Sequence, residues 1–185
     1  MKSIINQLSA SNNNQAEQDV NQEVNLTNEA LSNMASGLIP DLMDICQNLS
    51  NSIIKNGNTT NNALQFVPVL NKMKAIEQFE ADAFIKNPQT NHVLIENKFI
   101  KIVLIHWLPG KISSIHGHPK GSGVFKVISG GIEELRYTSD NIPKLLSVST
   151  YHKDAVGYID DQLAYHAVGN PHMESAISLH VYTRL

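Results

Sequence analysis

The chain has 185 residues, with 14 Lys and Arg against 17 Asp and Glu, a formal net charge of −3, 42% hydrophobic and 17% charged residues. That length and composition predict one folded domain over 1–185, and the charge balance gives no basis for a nucleic-acid or membrane-surface partner. The single cysteine, Cys46, excludes an intrachain disulfide. It fits a reducing compartment, and no apolar run reaches the roughly 20 residues of a membrane span. The start, Met1 to Gln7, lacks the apolar core of a secretory signal. A cytoplasmic monomer is the expectation.

In chain order, residues 1–24 are rich in Asn and Gln, as in Ser11-Asn12-Asn13-Asn14-Gln15, and read as a loosely ordered tail. Residues 25–80 form a helical part. Thr27 caps a helix that begins Asn28-Glu29-Ala30-Leu31. A second helix opens at Pro40 and runs to about Ile54, with Leu42, Ile45, Leu49 and Ile53 on one face. Cys46 on that helix reads as a small buried hydrophobe. Asn56-Gly57-Asn58 ends the helix, and a third covers Asn61 to Glu77.

From about residue 90 the texture changes to β. Four runs carry it: Phe99–Trp107, Gly123–Ile128, Ile132–Tyr137 and Ala176–Tyr182. Between them lie Leu108-Pro109-Gly110, Ser129-Gly130-Gly131 and Gly169-Asn170-Pro171, all turn chemistry. Short strands with regular turns predict a sandwich or barrel over 90–185, with the helices packed against it. Trp107 reads as core. His92, His106, His152 and His172 read as structural or exposed.

The chemistry lies in Gly110-Lys111-Ile112-Ser113-Ser114-Ile115-His116-Gly117-His118. Histidines at i and i+2 of an extended chain project from one face. Two neutral imidazoles side by side there suit a divalent transition metal. Gly110, the His-x-His pair, Gly123 and Gly130 follow the first motif of the cupin barrel, the double-stranded β-helix. His166 with the later Asn170 follows the second. On Ser178-Leu179-His180-Val181-Tyr182, Ser178, His180 and Tyr182 alternate onto one face, where a hydroxyl, an imidazole and a phenol can form a hydrogen-bond relay.

Ser113-Ser114-Ile115-His116-Gly117-His118, Phe125-Lys126 with Gly130, Tyr158-Ile159-Asp160-Asp161 and the closing Ser-x-His-x-Tyr resemble the thiol dioxygenases, cysteine dioxygenase in particular. The resemblance covers about the last 100 residues. It implies iron(II) held by His116, His118 and His166, with Tyr182, His180 and Ser178 as catalytic residues and Tyr182 also meeting the substrate. The carboxylate that most cupins place after the His-x-His is Gly123 here, so all the metal ligands are neutral. It also implies a small-molecule thiol and O2 as substrates: L-cysteine first, 3-mercaptopropionate next, each oxidised to its sulfinic acid. Animal relatives carry at the place of Gly123 a cysteine that crosslinks to the tyrosine. Here none can form. The family's substrate-binding arginine is also missing, since no arginine precedes Arg136. Phe84-Ile85-Lys86-Asn87 is similar to that stretch with lysine in its place, which makes Lys86 the carboxylate contact; another placement of the gap puts Asn91 there. The alternatives are a non-catalytic cupin that binds a metal or small ligand, and a cupin with another metal and reaction.

Overall fold

The computed structural model describes residues 42–55, 62–74, 91–118, 121–160 and 164–184. The Asn-rich start, the helix expected from Asn28 and Lys86 lie outside them. Helix α1 (Leu42–Lys55) buries Cys46, Leu49 and Ile53, which recur three and four residues apart on one face. Burial pushes the Cys46 thiol up to about 12, so this cysteine is the inert hydrophobe expected. A 3-10 turn (Ala63–Phe66) leads into α2 (Val67–Lys72). Asn62 caps the turn by accepting from the Leu64 N–H at 2.9 Å. Pro68 sits in the first turn of α2, where its missing N–H costs nothing. The helix expected over 61–77 is therefore shorter. It stops at Lys72, and Met73 is already extended.

Eight strands follow: β1 (Asn91–Glu96), β2 (Ile100–Trp107), β3 (Ser122–Ser129), β4 (Gly131–Tyr137), β5 (Leu145–His152), β6 (Val156–Asp160), β7 (Tyr165–Gly169) and β8 (Ala176–Thr183). They form a five-stranded sheet, order β1-β2-β8-β3-β6, and a three-stranded sheet, order β5-β4-β7. Every pairing is antiparallel. This is the two-sheet arrangement of the cupin type, mainly β, with the helices on one outer face. The expected closed barrel resolves into two facing sheets. The four β runs read from the sequence are all strands, with ends shifted by at most one residue.

The five-stranded sheet is covered on both faces, and every residue of β3 is buried. Its outer face meets the helices in the larger apolar cluster, where Ile102, Leu104, Val124 and Leu179 pack with Leu49, Phe66 and Leu70. Its inner face contributes Phe125, Val127 and Ala176 to a smaller cluster with Ile132 and Val168 of the other sheet. Lys126 points outward and is buried. Its ammonium reaches the Leu70 carbonyl at 3.1 Å and the Met73 carbonyl, and Asp154 at 3.1 Å. It ties the end of α2 to the turn before β6.

The segment after β2 decides where the site sits. Leu108-Pro109-Gly110-Lys111 turns back on itself, with Lys111 N–H on the Leu108 carbonyl at 3.2 Å. Pro109 occupies the second position and Gly110, at φ +69°, the third, as a type II turn requires. The chain then runs beside β7. Ser113 N–H donates to the Val168 carbonyl at 2.8 Å, and His116 and His166 exchange both backbone bonds at 2.9 Å. The approach is close at Gly169, where a Cβ would stand 2.6 Å from the Lys111 carbonyl and 2.7 Å from Ile112 Cα. Gly169→Ala should therefore push the 111–116 segment off β7. We expect a loss of about 1–3 kcal/mol in chemical denaturation together with weaker metal binding by titration. An alanine variant equal to the parent in both would remove this contact as the device that seats His116.

Candidate metal centre

His116 and His166 are cross-strand partners in a doubly bonded antiparallel pair, so their side chains leave the sheet on one side. His118, two residues on, shares that side. The three rings converge. Nε2 of His166 stands 3.2 Å from Nε2 of His116 and 3.0 Å from Nε2 of His118. All three ligand atoms lie within 4.8 Å of one another.

The other ring nitrogens explain why the Nε2 atoms face inward. Nδ1 of His166 donates to Glu134 Oε1 at 2.8 Å, and Nδ1 of His116 donates to the Ser114 carbonyl at 2.9 Å. Both partners can only accept, so each Nδ1 carries the proton and each Nε2 presents a lone pair. Lone pairs converging at about 3 Å repel one another. A proton relieves one pair of them; a divalent metal ion accepts all three. The donor set therefore fits a metal, and imidazole suits iron, zinc and copper alike.

Glu134 is fully buried. Besides His166 it meets Arg136 Nε at 3.0 Å and the Tyr151 hydroxyl at 3.1 Å. Burial would raise its pKa. The His166 hydrogen bond and the Arg136 charge outweigh that, and its carboxyl is held below the usual range, hence ionised. Sequence reading missed Glu134 and Arg136. The signal was there: Ile132, Glu134 and Arg136 alternate along β4, so two charges share a face with a core isoleucine.

Above the three converging histidines runs the β8 face. Trp107 Nε1–H donates to Ser178 Oγ at 2.7 Å. Ser178 Oγ is 2.7 Å from His180 Nε2, and His180 Nδ1 is 3.0 Å from the Tyr182 hydroxyl. An indole can only donate. Ser178 accepts from it and donates its own O–H to His180 Nε2. His180 then holds its proton on Nδ1 and donates to the Tyr182 oxygen. The phenol proton is left free to point away from the relay. Burial, then the neighbouring imidazoles, pulls the His180 pKa to about 3, which keeps the ring neutral. Burial pushes the Tyr182 phenol up. His180 is stacked on Phe125 with centroids 5.2 Å apart, and Tyr182 on His118, also at 5.2 Å. Gly123 pairs with Tyr182, and a Cβ there would touch the phenol ring at 3.0 Å. The glycine gives the ring its seat.

A cavity of about 460 Å³ opens onto these groups, with Ile105, Trp107, Ile112 and Val168 as apolar wall and Asn91 and Lys111 as polar lining. The sequence-predicted His116, His118 and His166 come together, and so do Ser178, His180 and Tyr182. Trp107, expected as core, packs half-buried against the smaller apolar cluster and is in addition the first donor of the relay and part of the cavity wall. His92 and His106 are buried, and His152 is exposed.

The family described as Cysteine dioxygenase type I matches residues 44–184. The chain belongs to that family. Cysteine dioxygenase type 1 of Rattus norvegicus and of Mus musculus are each 30% identical to it over 94 residues, 47% of this chain and 46% of theirs. The match thus spans about half the length of these curated relatives. Among solved structures, an uncharacterized protein with a double-stranded β-helix domain from Klebsiella pneumoniae is 23% identical, over 54% of this chain and 80% of its own, with a TM-score of 0.43. BH2720 from Bacillus halodurans is 17% identical, over 55% and 75%, with a TM-score of 0.47. No helix among the described residues is long and apolar enough to cross a membrane.

The neutral state of His180 makes a prediction for this cysteine dioxygenase family member. The unfolded chain takes up a proton on this residue below the ordinary histidine value of 6.5, whereas the fold takes none until about 3. Stability should fall as pH drops through that window, by up to about 1.4 kcal/mol per unit. His180→Gln should flatten the slope of denaturation free energy between pH 6.5 and 5, above the range where Glu134 titrates. An unaltered slope would mean that His180 is not held neutral.

Proposed function

We propose that the chain is an iron(II)-dependent thiol dioxygenase that converts a small thiol, L-cysteine first and 3-mercaptopropionate second, to its sulfinic acid. The observation that carries the reading is the convergence of three imidazole Nε2 atoms within 4.8 Å of one another beneath a one-way relay ending in a phenol. The reaction needs no external reductant. Both atoms of one O2 end on the sulfur, and the thiol proton ends on the sulfinic acid. His116, His118 and His166 would hold the iron. When bound, iron(II) supplies the redox-active Lewis acid through which the sulfur and O2 exchange electrons.

The remaining roles belong to the chain. No carboxylate stands among the three ligands, so the site favours an anionic partner, the thiolate. Tyr182 keeps its proton because burial disfavours the phenolate, and it offers that proton as a hydrogen-bond donor to the substrate. His180 and Ser178 hold the phenol in that state, and Trp107 fixes the direction of the relay by donating at its far end. The apolar wall, Ile105, Ile112 and Val168, keeps water from the reacting atoms. Two residues are open as the carboxylate contact: Asn91, which lines the cavity, and Lys86.

Oxygen uptake by the iron-loaded protein with a panel of thiols tests the reading. Consumption with a matching sulfinic acid product is expected; a protein that binds iron but consumes no oxygen with any thiol would be a container, not an enzyme. His116→Ala should lose iron and activity together. Tyr182→Phe and Trp107→Phe should keep iron and slow turnover, by about 10–100-fold for the former and less for the latter. Rates equal to the parent in both would leave the relay without a role. Whichever of Lys86→Ala and Asn91→Ala removes the carboxylate contact should raise KM for cysteine and spare KM for cysteamine, which has no carboxylate.

A further inference from the structure

Glu134 is an anion in a place where anions are costly. Its side chain has no exposed surface. Removing a carboxylate from water to that degree costs several kcal/mol unless every lone pair is used. Here both oxygens have partners. Oε1 takes the His166 Nδ1–H at 2.8 Å. Oε2 takes Arg136, with Nε at 3.0 Å and Nη2 at 2.9 Å, and the Tyr151 hydroxyl at 3.1 Å. Arg136 is anchored in turn by donating to the Tyr158 carbonyl at 2.7 Å. The register makes this arrangement compulsory. Arg136 stands opposite His166, and Ile132 opposite Tyr151. Glu134, between them on the same face of β4, reaches both neighbours diagonally.

The three metal-ligating histidines are therefore unequal. His116 leans on a neutral backbone carbonyl. His166 leans on a full carboxylate, which makes its ring the more basic donor and locks its orientation. We propose that Glu134 is the positioning residue of the metal centre: it supplies, one hydrogen bond removed, the negative charge that the ligand set lacks, and Tyr151 and Arg136 set how much of that charge reaches His166. The inference rests on the metal-binding part of the proposed function and not on the identity of the thiol.

Glu134→Gln keeps the shape and removes the charge. Two measurements on the purified full chain read the effect. One is iron(II) and cobalt(II) affinity by chelator competition; the other is the midpoint potential of the iron-loaded protein. The expected result is a 10–100-fold weaker metal complex and a more positive potential, because the oxidised ion loses a nearby anion. Parental affinity and potential in Glu134→Gln would overturn the proposal. Should that variant fail to fold, Tyr151→Phe decides. Removing the hydroxyl leaves Glu134 and His166 in place and returns charge to the imidazole. The potential should then move the opposite way, to more negative values, with affinity maintained or tightened. An unmoved potential, or one displaced positively, would make the carboxylate a packing element and sink the idea. These readouts are separable from turnover. A chain that shows both effects yet oxidises no thiol keeps this inference and loses the dioxygenase. A parent chain that binds neither metal loses both.

Discussion

Three imidazole Nε2 atoms are held within 4.8 Å of one another, two of them with their protons turned away, and the architecture around them exists to keep them so. A backbone hydrogen-bonded pair, His116 with His166, sets two of the rings side by side. The two-residue repeat of an extended chain brings the third. Acceptors behind His116 and His166 turn their protons outward. The Pro109-Gly110 turn and the bare edge of Gly169 let the carrying segment lie close enough to β7 for the pair to form. Each device is ordinary, and together they leave only a cation able to satisfy the centre.

The relay on β8 uses the same logic with the sign reversed. At the metal centre, protons are sent away from the focus. Along Trp107, Ser178, His180 and Tyr182 they are sent toward it. The indole begins the chain because it has a proton to give and no lone pair to receive one. The phenol ends the chain with its proton uncommitted. A neutral His180 is essential to this order, since a ring protonated on both nitrogens could not accept from Ser178. Deep burial supplies that neutrality without any partner of opposite charge.

Much of this was legible before coordinates. The His-x-His pair, the later His166 and the alternation of Ser178, His180 and Tyr182 declare themselves because extended chain has a period of two, and spacing then stands for geometry. The long apolar runs of β2, β3 and β8 read as strands for the same reason. What was missed has physical causes. Strands β5 and β6 are short or rich in Ser and Thr and lack a continuous apolar signal. The helix after Asn61 was overextended because Leu70 and Met73 keep a helical apolar spacing beyond the point where the backbone straightens. Trp107 read as core because its size is visible in a sequence and the direction of its N–H is not. Glu134 was overlooked because charge in a strand usually marks the solvent face, and only the register of three strands shows that this one looks inward.

The five-stranded sheet carries its larger apolar cluster on the outside, against the helices, while its inner side carries the smaller cluster together with Ser178, His180 and Tyr182. Anchorage and chemistry are thereby assigned to opposite sides of the same strands. A substitution at a cavity-facing residue, Ile105 for example, leaves the helix-covered layer intact. A scaffold divided in this way can revise what its cavity admits without forfeiting its shape.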